Sequence, residues 1–433
     1  MRKGLLALVA VAAFVATSAL IYADPLADAY AGKFKGTTVT MNGPFTDNDA
    51  VKFNESVKAF EQATGINIQY EGSKEFEASI SIRIDGGNPP DIVDFPQPGL
   101  LRNFVKAGKV IDLSKVLDMK KVRANYIQSW LDMGTMEGPK GPIMAGIWAR
   151  VNVKGVVWYN KKAFDAAGYK VPTTWKELIA LQNQIKNDGD TPWAIGIESG
   201  AATGWTATDW TEQMMLRTTS LQNYDRWVAG KLKFESPEVR KAIQMWSDIW
   251  FGKGNVYGGR QAIATTSFGD APKVLFDHPP KAWLNDQGNF VTTFFPDGLQ
   301  PGVDYDFFQL PEVSSRYGAP VEVGGDIYAM FNDRPEVRAV MQYFTSAESL
   351  KTWVQSGGAL APQKDAQLDW YTNPVDRRLG ELLKDAKAVR FDGSDQMPGQ
   401  VGAGSFWKEM TAYVAGTHTL DQALKNIDAS WPK

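Results

Sequence analysis

Thr37-Thr38-Val39-Thr40-Met41, then Asp47 to Thr64, then Ile66-Asn67-Ile68-Gln69-Tyr70: this stretch decides the fold, because its hydrophobic period changes twice. Val39 and Met41 alternate as in a half-buried strand, and Ile66, Ile68 and Tyr70 do so again. Between them Ala50, Phe53, Val57 and Phe60 fall on one helical face, with Asp47 or Asn48 able to cap the start and Gly65 the end. The result is a β-α-β unit. A second helical stretch, Lys74 to Asp85, leads through Gly86-Gly87-Asn88-Pro89-Pro90 into a short apolar strand, Asp91 to Phe95. Strands alternating with helices imply an α/β protein whose mainly parallel sheets are covered on both faces.

Further along, Ile143 to Arg150 and Gly155 to Tyr159 read as two apolar strands. Thr174-Trp175-Lys176-Glu177 is a capping box opening a helix to Asp188, and Ser236-Pro237-Glu238 opens another. On that second helix Ile243, Trp246, Ile249 and Trp250 are expected to pack in the core. A strand from Ile327 to Phe331 leads to a helix from Pro335. Helices are expected at 347–356, 374–388, 405–415 and 419–431. With 433 residues, two domains are the default, since single cores stop growing near 250–300 residues.

Met1-Arg2-Lys3 followed by the apolar run to Ile21 reads as a secretory signal peptide over 1–23, cleaved after Ala19 or Ala23, with an uncleaved anchor as the alternative. The chain has no cysteine, which excludes disulfides, thiolate metal sites and an acylated lipoprotein anchor. The expected location is therefore periplasmic or extracellular. The two histidines, His278 and His418, have no metal-ligand spacing, and no ordered loop supports calcium, so no metal or cofactor is expected. A net charge of −3 gives no footprint for nucleic acid. Phosphate-binding loops, nucleophile elbows and zinc-protease motifs are absent from the sequence, and Gly252 to Gly258 is a loop rather than a dinucleotide fingerprint. Paired carboxylates for a secreted glycoside hydrolase remain open among 49 acidic residues.

The aromatic content of 12% is the informative excess. Several tryptophans sit beside polar groups in turn-like sequence: Trp205, Asp209 and Trp210 in Gly200 to Glu212, Trp148 with Arg150, Trp283 after Pro279-Pro280-Lys281, and Trp407 after Gly402-Ala403-Gly404. Asp326 follows Gly324-Gly325 in a similar setting. Indole faces suit the apolar faces of a sugar ring, and carboxylates, amides and Arg forks suit its hydroxyls.

Five strings carry a resemblance over residues 36–433: Asn88-Pro89-Pro90-Asp91-Ile92-Val93 before Phe95-Pro96-Gln97-Pro98-Gly99; Val156 to Phe164; Pro172 to Leu178; Gly324 to Ala329; and Ser405-Phe406-Trp407 through Leu420 to Leu424. In this order they resemble the solute-binding proteins of carbohydrate ABC importers, the maltose-binding-protein-like family, most closely its alpha-glucoside-binding branch. The resemblance implies a two-lobed fold, each lobe a mainly parallel sheet flanked by helices, with a sugar in the cleft between. It implies crossings near Arg150, Asp326 and Ala361, so that 24–149 with 327–360 forms one lobe and 150–326 with 361–433 the other. The family's cleft tryptophan falls on Trp407, a cleft acid on Glu198 and a second stacking platform on Trp283. Gln97 stands where maltose-binding protein has charged sugar contacts, a departure from maltose-type recognition, whereas Arg150 and Asp209 match the alpha-glucoside pattern. The candidate binding set is Asp47, Gln97, Arg150, Glu198, Trp205, Asp209, Trp283, Asp326 and Trp407. The implied protein is a non-enzymatic monomer whose partners are an oligosaccharide or alpha-glucoside and the transmembrane subunits of a permease. A cleft protein for a polyol or oligopeptide is the remaining alternative.

Overall fold

The computed structural model describes residues 24–432, so the expected signal peptide lies outside the described residues. Among the described residues no helix is long and apolar enough to cross a membrane. Eleven strands appear in chain order: β1 (Thr38–Gly43), β2 (Asn67–Gly72), β3 (Ile92–Phe95), β4 (Thr135–Gly138), β5 (Gly141–Met144), β6 (Ile147–Lys154), β7 (Val156–Asn160), β8 (Leu284–Gln287), β9 (Tyr305–Gln309), β10 (Val321–Met330) and β11 (Val389–Phe391).

The opening β-α-β unit forms as expected. The helix Asp47–Thr64 buries Phe53, Val57 and Phe60, Gly65 closes it in the left-handed conformation, and β1 pairs in parallel with β2 and with β3. Its start differs from expectation. Thr46 occupies the capping position without a side-chain bond, and Asp47 itself has φ of 52°, a left-handed backbone that non-glycine residues rarely adopt. The carboxylate of Asp47 is turned toward Lys74, 3.5 Å away, and the Asn48 amide donates to the Thr293 carbonyl at 2.8 Å. Both side chains face other parts of the molecule rather than their own helix.

Around β10 the first sheet becomes mixed. β10 runs antiparallel to β3 and, along almost its whole length, to β6, while β11 pairs with it in parallel. The second sheet, β8-β7-β9, is antiparallel throughout, which corrects the expectation of a mainly parallel sheet in each lobe. The reason is the connection: several helices separate β7 from β8, so no single βα crossover forces them parallel. Parallel pairing survives there as single bridges, among them Trp193 to Leu284 and to Val256, Glu198 to Ser267 and Pro301 to Tyr305.

Two large hydrophobic cores result, with a small third cluster of Ala194, Leu275 and Ala282. Val39, Ile92, Val153, Ile327 and Val340 belong to the first; Val157, Trp193, Trp210, Leu284 and Met410 to the second. Trp246 and Trp250 pack in the second core as expected, and the Trp246 indole donates to Thr211 Oγ1 at 2.9 Å. The chain leaves the first sheet after Lys154, re-enters it at Val321 and leaves it again after Phe391, while Val156, Trp158, Val291, Phe295 and Tyr305 still pack against the first core. The third passage lies well beyond Ala361, because Tyr371, Val375, Leu379 and Phe391 pack in the first core and β11 joins its sheet.

Across the cleft mouth the two sides touch where Ala201 N donates to the Lys74 carbonyl at 3.1 Å. Gly200 has φ of 55°, and a Cβ there would lie 2.6 Å from that carbonyl oxygen. Gly200→Ala is expected to push the two sides apart at this point, raising the radius of gyration measured by small-angle scattering without sugar while the midpoint of thermal unfolding barely moves.

Candidate ligand-binding site

A cavity of about 780 Å³ opens between the two cores. One wall is the Phe45–Asp49 turn with Gln97; the opposite wall carries Glu198, Trp205, Phe268 and Trp407. The floor is the β6–β10 ladder. Alternate residues of a strand point to one face, so Arg150, Asn152 and Lys154 all rise from β6 into the cavity, opposite Gly324, Gly325 and Asp326 of β10. Gly325 is required by crowding: a Cβ there would sit 2.6 Å from the Arg150 carbonyl oxygen.

Arg150 is locked. Its Nε donates to Asp326 Oδ2 at 2.7 Å, its Nη1 lies 3.5 Å from Asp49 Oδ2, and its guanidinium stands 4.6 Å from the Phe45 ring and 4.4 Å from the Trp353 ring. Burial opposes its charge, but Asp326 and Asp49 outweigh burial and hold the guanidinium above its ordinary range. Lys154 is locked as well. Its ammonium donates to Asp209 Oδ1 at 2.9 Å and to Asp392 Oδ2, and stands 5.4 Å from the Trp205 ring. Against burial, those carboxylates keep Lys154 well above its usual value.

Beneath Lys154 lies a buried group of acids drawn from three parts of the chain: Asp209 and Glu212 from the helix Trp205–Thr218, Glu322 from β10, and Asp392 and Asp395 from the segment after β11. Glu212 accepts from the Ser394 amide at 3.0 Å, Glu322 accepts from Gln213 Nε2 at 2.6 Å, and Asp392 accepts from Ser394 Oγ at 2.8 Å. Burial raises Asp209 to about 8 and pushes Glu212, Glu322 and Asp395 well above the ordinary carboxylate range. Asp392 alone in this group is lowered: burial opposes its charge, but the Lys154 ammonium together with hydrogen bonds from the Asp395 amide and Ser394 Oγ outweighs it. Oxygens of Asp209, Glu322 and Asp392 lie within 4.8 Å of one another, a spacing that a cation could use. Lys154 supplies the positive charge there instead.

Seven of the nine candidate residues line the cavity: Asp47, Gln97, Arg150, Glu198, Trp205, Asp326 and Trp407. Asp209 stands one layer behind and reaches the cavity only through Lys154. Trp283 does not line it. It packs edge-on against Tyr169, with ring centroids 4.8 Å apart, in the second core at the start of the segment that pairs with Pro192 and Trp193. Its polar-looking neighbours in sequence are a surface turn, and the indole points away from them into the core.

Asn152, Lys154, Glu77 and Asp392 also line the cavity and went unanticipated. For Asn152 and Lys154 the signal existed, since they follow Arg150 at the period of a strand. Glu77 and Asp392 had none: burial raises the Glu77 carboxyl to about 7 beside Gln97 Nε2 at 3.1 Å, and Asp392 arrives only with the third passage. Five lining residues hold a buried polar atom with no hydrogen-bond partner among the described residues: Asp49 Oδ1, Gln97 Oε1, Arg150 Nη1, Asn152 Oδ1 and Trp407 Nε1. Buried polar atoms are seldom left unpaired, so five around one cavity mark where a polar ligand belongs.

A two-core α/β molecule with a polar and aromatic cavity on its crossing strands is the architecture of a cleft-type solute-binding protein. Residues 46–351 match the family model of the bacterial extracellular solute-binding proteins, and the chain belongs to that family. It is 40% identical over 395 residues to the osmoprotective compounds-binding protein GgtB of Synechocystis sp., covering 91% of this chain and 92% of that protein. To the alpha-glucosides-binding periplasmic protein AglE of Rhizobium meliloti it is 38% identical over 407 residues, covering 92% and 87%. Among solved structures, a chitin oligosaccharide binding protein matches with a TM-score of 0.76 at 18% identity, over 91% of this chain and 97% of that one. Maltose-bound MalE3 of T. maritima matches with 0.70 at 15%, over 91% and 98%. These two likenesses concern the fold.

Two outcomes follow from the site's geometry. Acids whose values are raised in the folded state bind more protons there than in the unfolded chain, so stability must fall as pH climbs from their unfolded values, near 4, through their folded ones. Asp392 acts with the opposite sign, but its titration lies below that window. The midpoint of thermal unfolding is expected to drop between about pH 4 and pH 8, and Glu322→Gln to flatten the drop. Trp283→Ala is expected to destabilise the fold by ~3–5 kcal/mol in denaturant unfolding while leaving ligand affinity as it was.

Proposed function

We propose that this protein is the substrate-binding component of an ABC-type importer, capturing a neutral sugar, an alpha-glucoside or related oligosaccharide, between its two sides and delivering it to a membrane permease. The observation that carries this reading is the set of five unpartnered polar atoms beside the flat faces of Trp205 and Trp407 in one cavity. Acceptors and donors of both kinds are present, which suits hydroxyl groups that donate and accept at once. The names of the two relatives above, one for osmoprotective compounds and one for alpha-glucosides, favour the same class of ligand. Asp47, Gln97, Arg150 and Asp326 would hold the ligand from the first side and the floor, with Glu198, Trp205 and Trp407 from the second. Asp209 would act through Lys154.

Ligand binding favours the closed arrangement only by its extra affinity for it. The cavity is walled by residues from both sides, so a sugar that satisfies both ties them together, and the closed form is the one a permease would engage. The two crossing strands that carry Arg150 and Asp326 would act as the pivot.

Calorimetric titration with maltose, sucrose, trehalose and methyl alpha-glucoside tests the reading; each bound sugar should be recovered intact, as expected of a carrier and not of a hydrolase. Binding of none of them would count against it. Trp407→Ala is expected to weaken the best ligand at least tenfold, ~1.4 kcal/mol, in a variant that still unfolds cooperatively.

A further inference from the structure

Nine carboxylates and four basic side chains line the cavity. Every one of the four is already paired. Arg150 and Lys154 are held as described, Lys74 lies 3.5 Å from Asp47, and Lys273 lies 2.7 Å from Asp270. Among the described residues, Glu77, Glu198, Asp297 and Asp395 have no ion-pair partner. Burial raises Asp395 well above the ordinary carboxylate range and Glu77 to about 7, and even with these two set aside carboxylates outnumber the basic groups that line the cavity. Arg150 is the residue that a sequence reading would offer to an anionic ligand. Its charge is already paired with Asp326 and Asp49, and the Phe45 and Trp353 rings pack beside it, although Nη1 has no hydrogen-bond partner among the described residues.

We propose that this cavity selects by charge: it takes uncharged glycosides and rejects glycosides bearing a carboxylate or phosphate, with Glu77, Glu198 and Asp297 as the residues that set the selection. The inference rests on the sugar-binding reading and names its substrate class. An anion entering here would find no free cation and would have to displace a carboxylate from Arg150 or Lys154, leaving that carboxylate buried without its partner. A hydroxylated neutral ligand carries no such cost. It needs only the unpartnered amide, carboxylate and indole atoms already facing it.

The test compares each panel sugar that binds with its 6-uronate and with the isosteric 6-uronamide, by calorimetry at pH 8 and low salt. The pair differs in charge and hardly in size, so shape and lost hydroxyl contacts cancel. The uronate is expected to bind at least tenfold more weakly than the uronamide, and Glu77→Gln combined with Asp297→Asn to narrow that ratio at least threefold. A ratio below tenfold in the unaltered protein overturns the proposal. An unmoved ratio in the double variant overturns the assignment to these carboxylates. If no panel sugar binds at all, the sugar reading fails first and this inference fails with it.

Discussion

Two buried cations on one strand organise this molecule. Arg150 and Lys154 of β6 each bind carboxylates that come from distant parts of the chain: Asp49 and Asp326 for the first, Asp209 and Asp392 for the second. Taking a guanidinium and an ammonium out of water is costly, and only well-placed counter-charges with further hydrogen bonds make it tolerable. That requirement fixes where β10, the helix Asp47–Thr64, the helix Trp205–Thr218 and the third passage must lie. The cavity floor is therefore rigid, and both walls are hung from it.

The same constraint explains why so many acids are buried nearby. With a single ammonium among Asp209, Glu212, Glu322, Asp392 and Asp395, one carboxylate, Asp392, takes the full charge and burial drives the rest toward the protonated form. The group forms a hydrogen-bonded plug beneath the cavity, joining both crossing strands to the helix Trp205–Thr218. Aromatic residues divide along a related line. Trp246, Trp250 and Trp283 fill the second core, whereas Trp205 and Trp407 stand where a polar cavity meets that core.

Periodicity made much of the fold legible. The helix Asp47–Thr64, the capping box at Thr174 and the Ser236 cap are read correctly because each depends on neighbours in sequence. The antiparallel second sheet was not legible, since strand direction there depends on the path of the long helical insertion between β7 and β8. Nor was the third passage, which is set by β11 joining β10. For the site, seven of nine residues gather at the cavity, carried by the resemblance and by polar settings around tryptophan. Trp283 shows the weakness of that second cue: a turn rich in proline and lysine reveals where the backbone is exposed, not which way the indole points. The local rule that fails at Asp47, whose side chain leaves its helix uncapped, fails at the cavity rim.

The order of strands in the first sheet has a consequence for how the chain is made. β10, at 321–330, is the strand to which β3, β6 and β11 all attach, and β11 follows only at 389–391. During synthesis the N-terminal strands emerge long before the partner that joins them, and such distant pairings form slowly. The first sheet is therefore completed only by strands that come late in the chain, although β1, β2 and β3 pair directly with one another. In a family described as extracellular, this order of strands leaves the last pairings of the first sheet to the end of the chain.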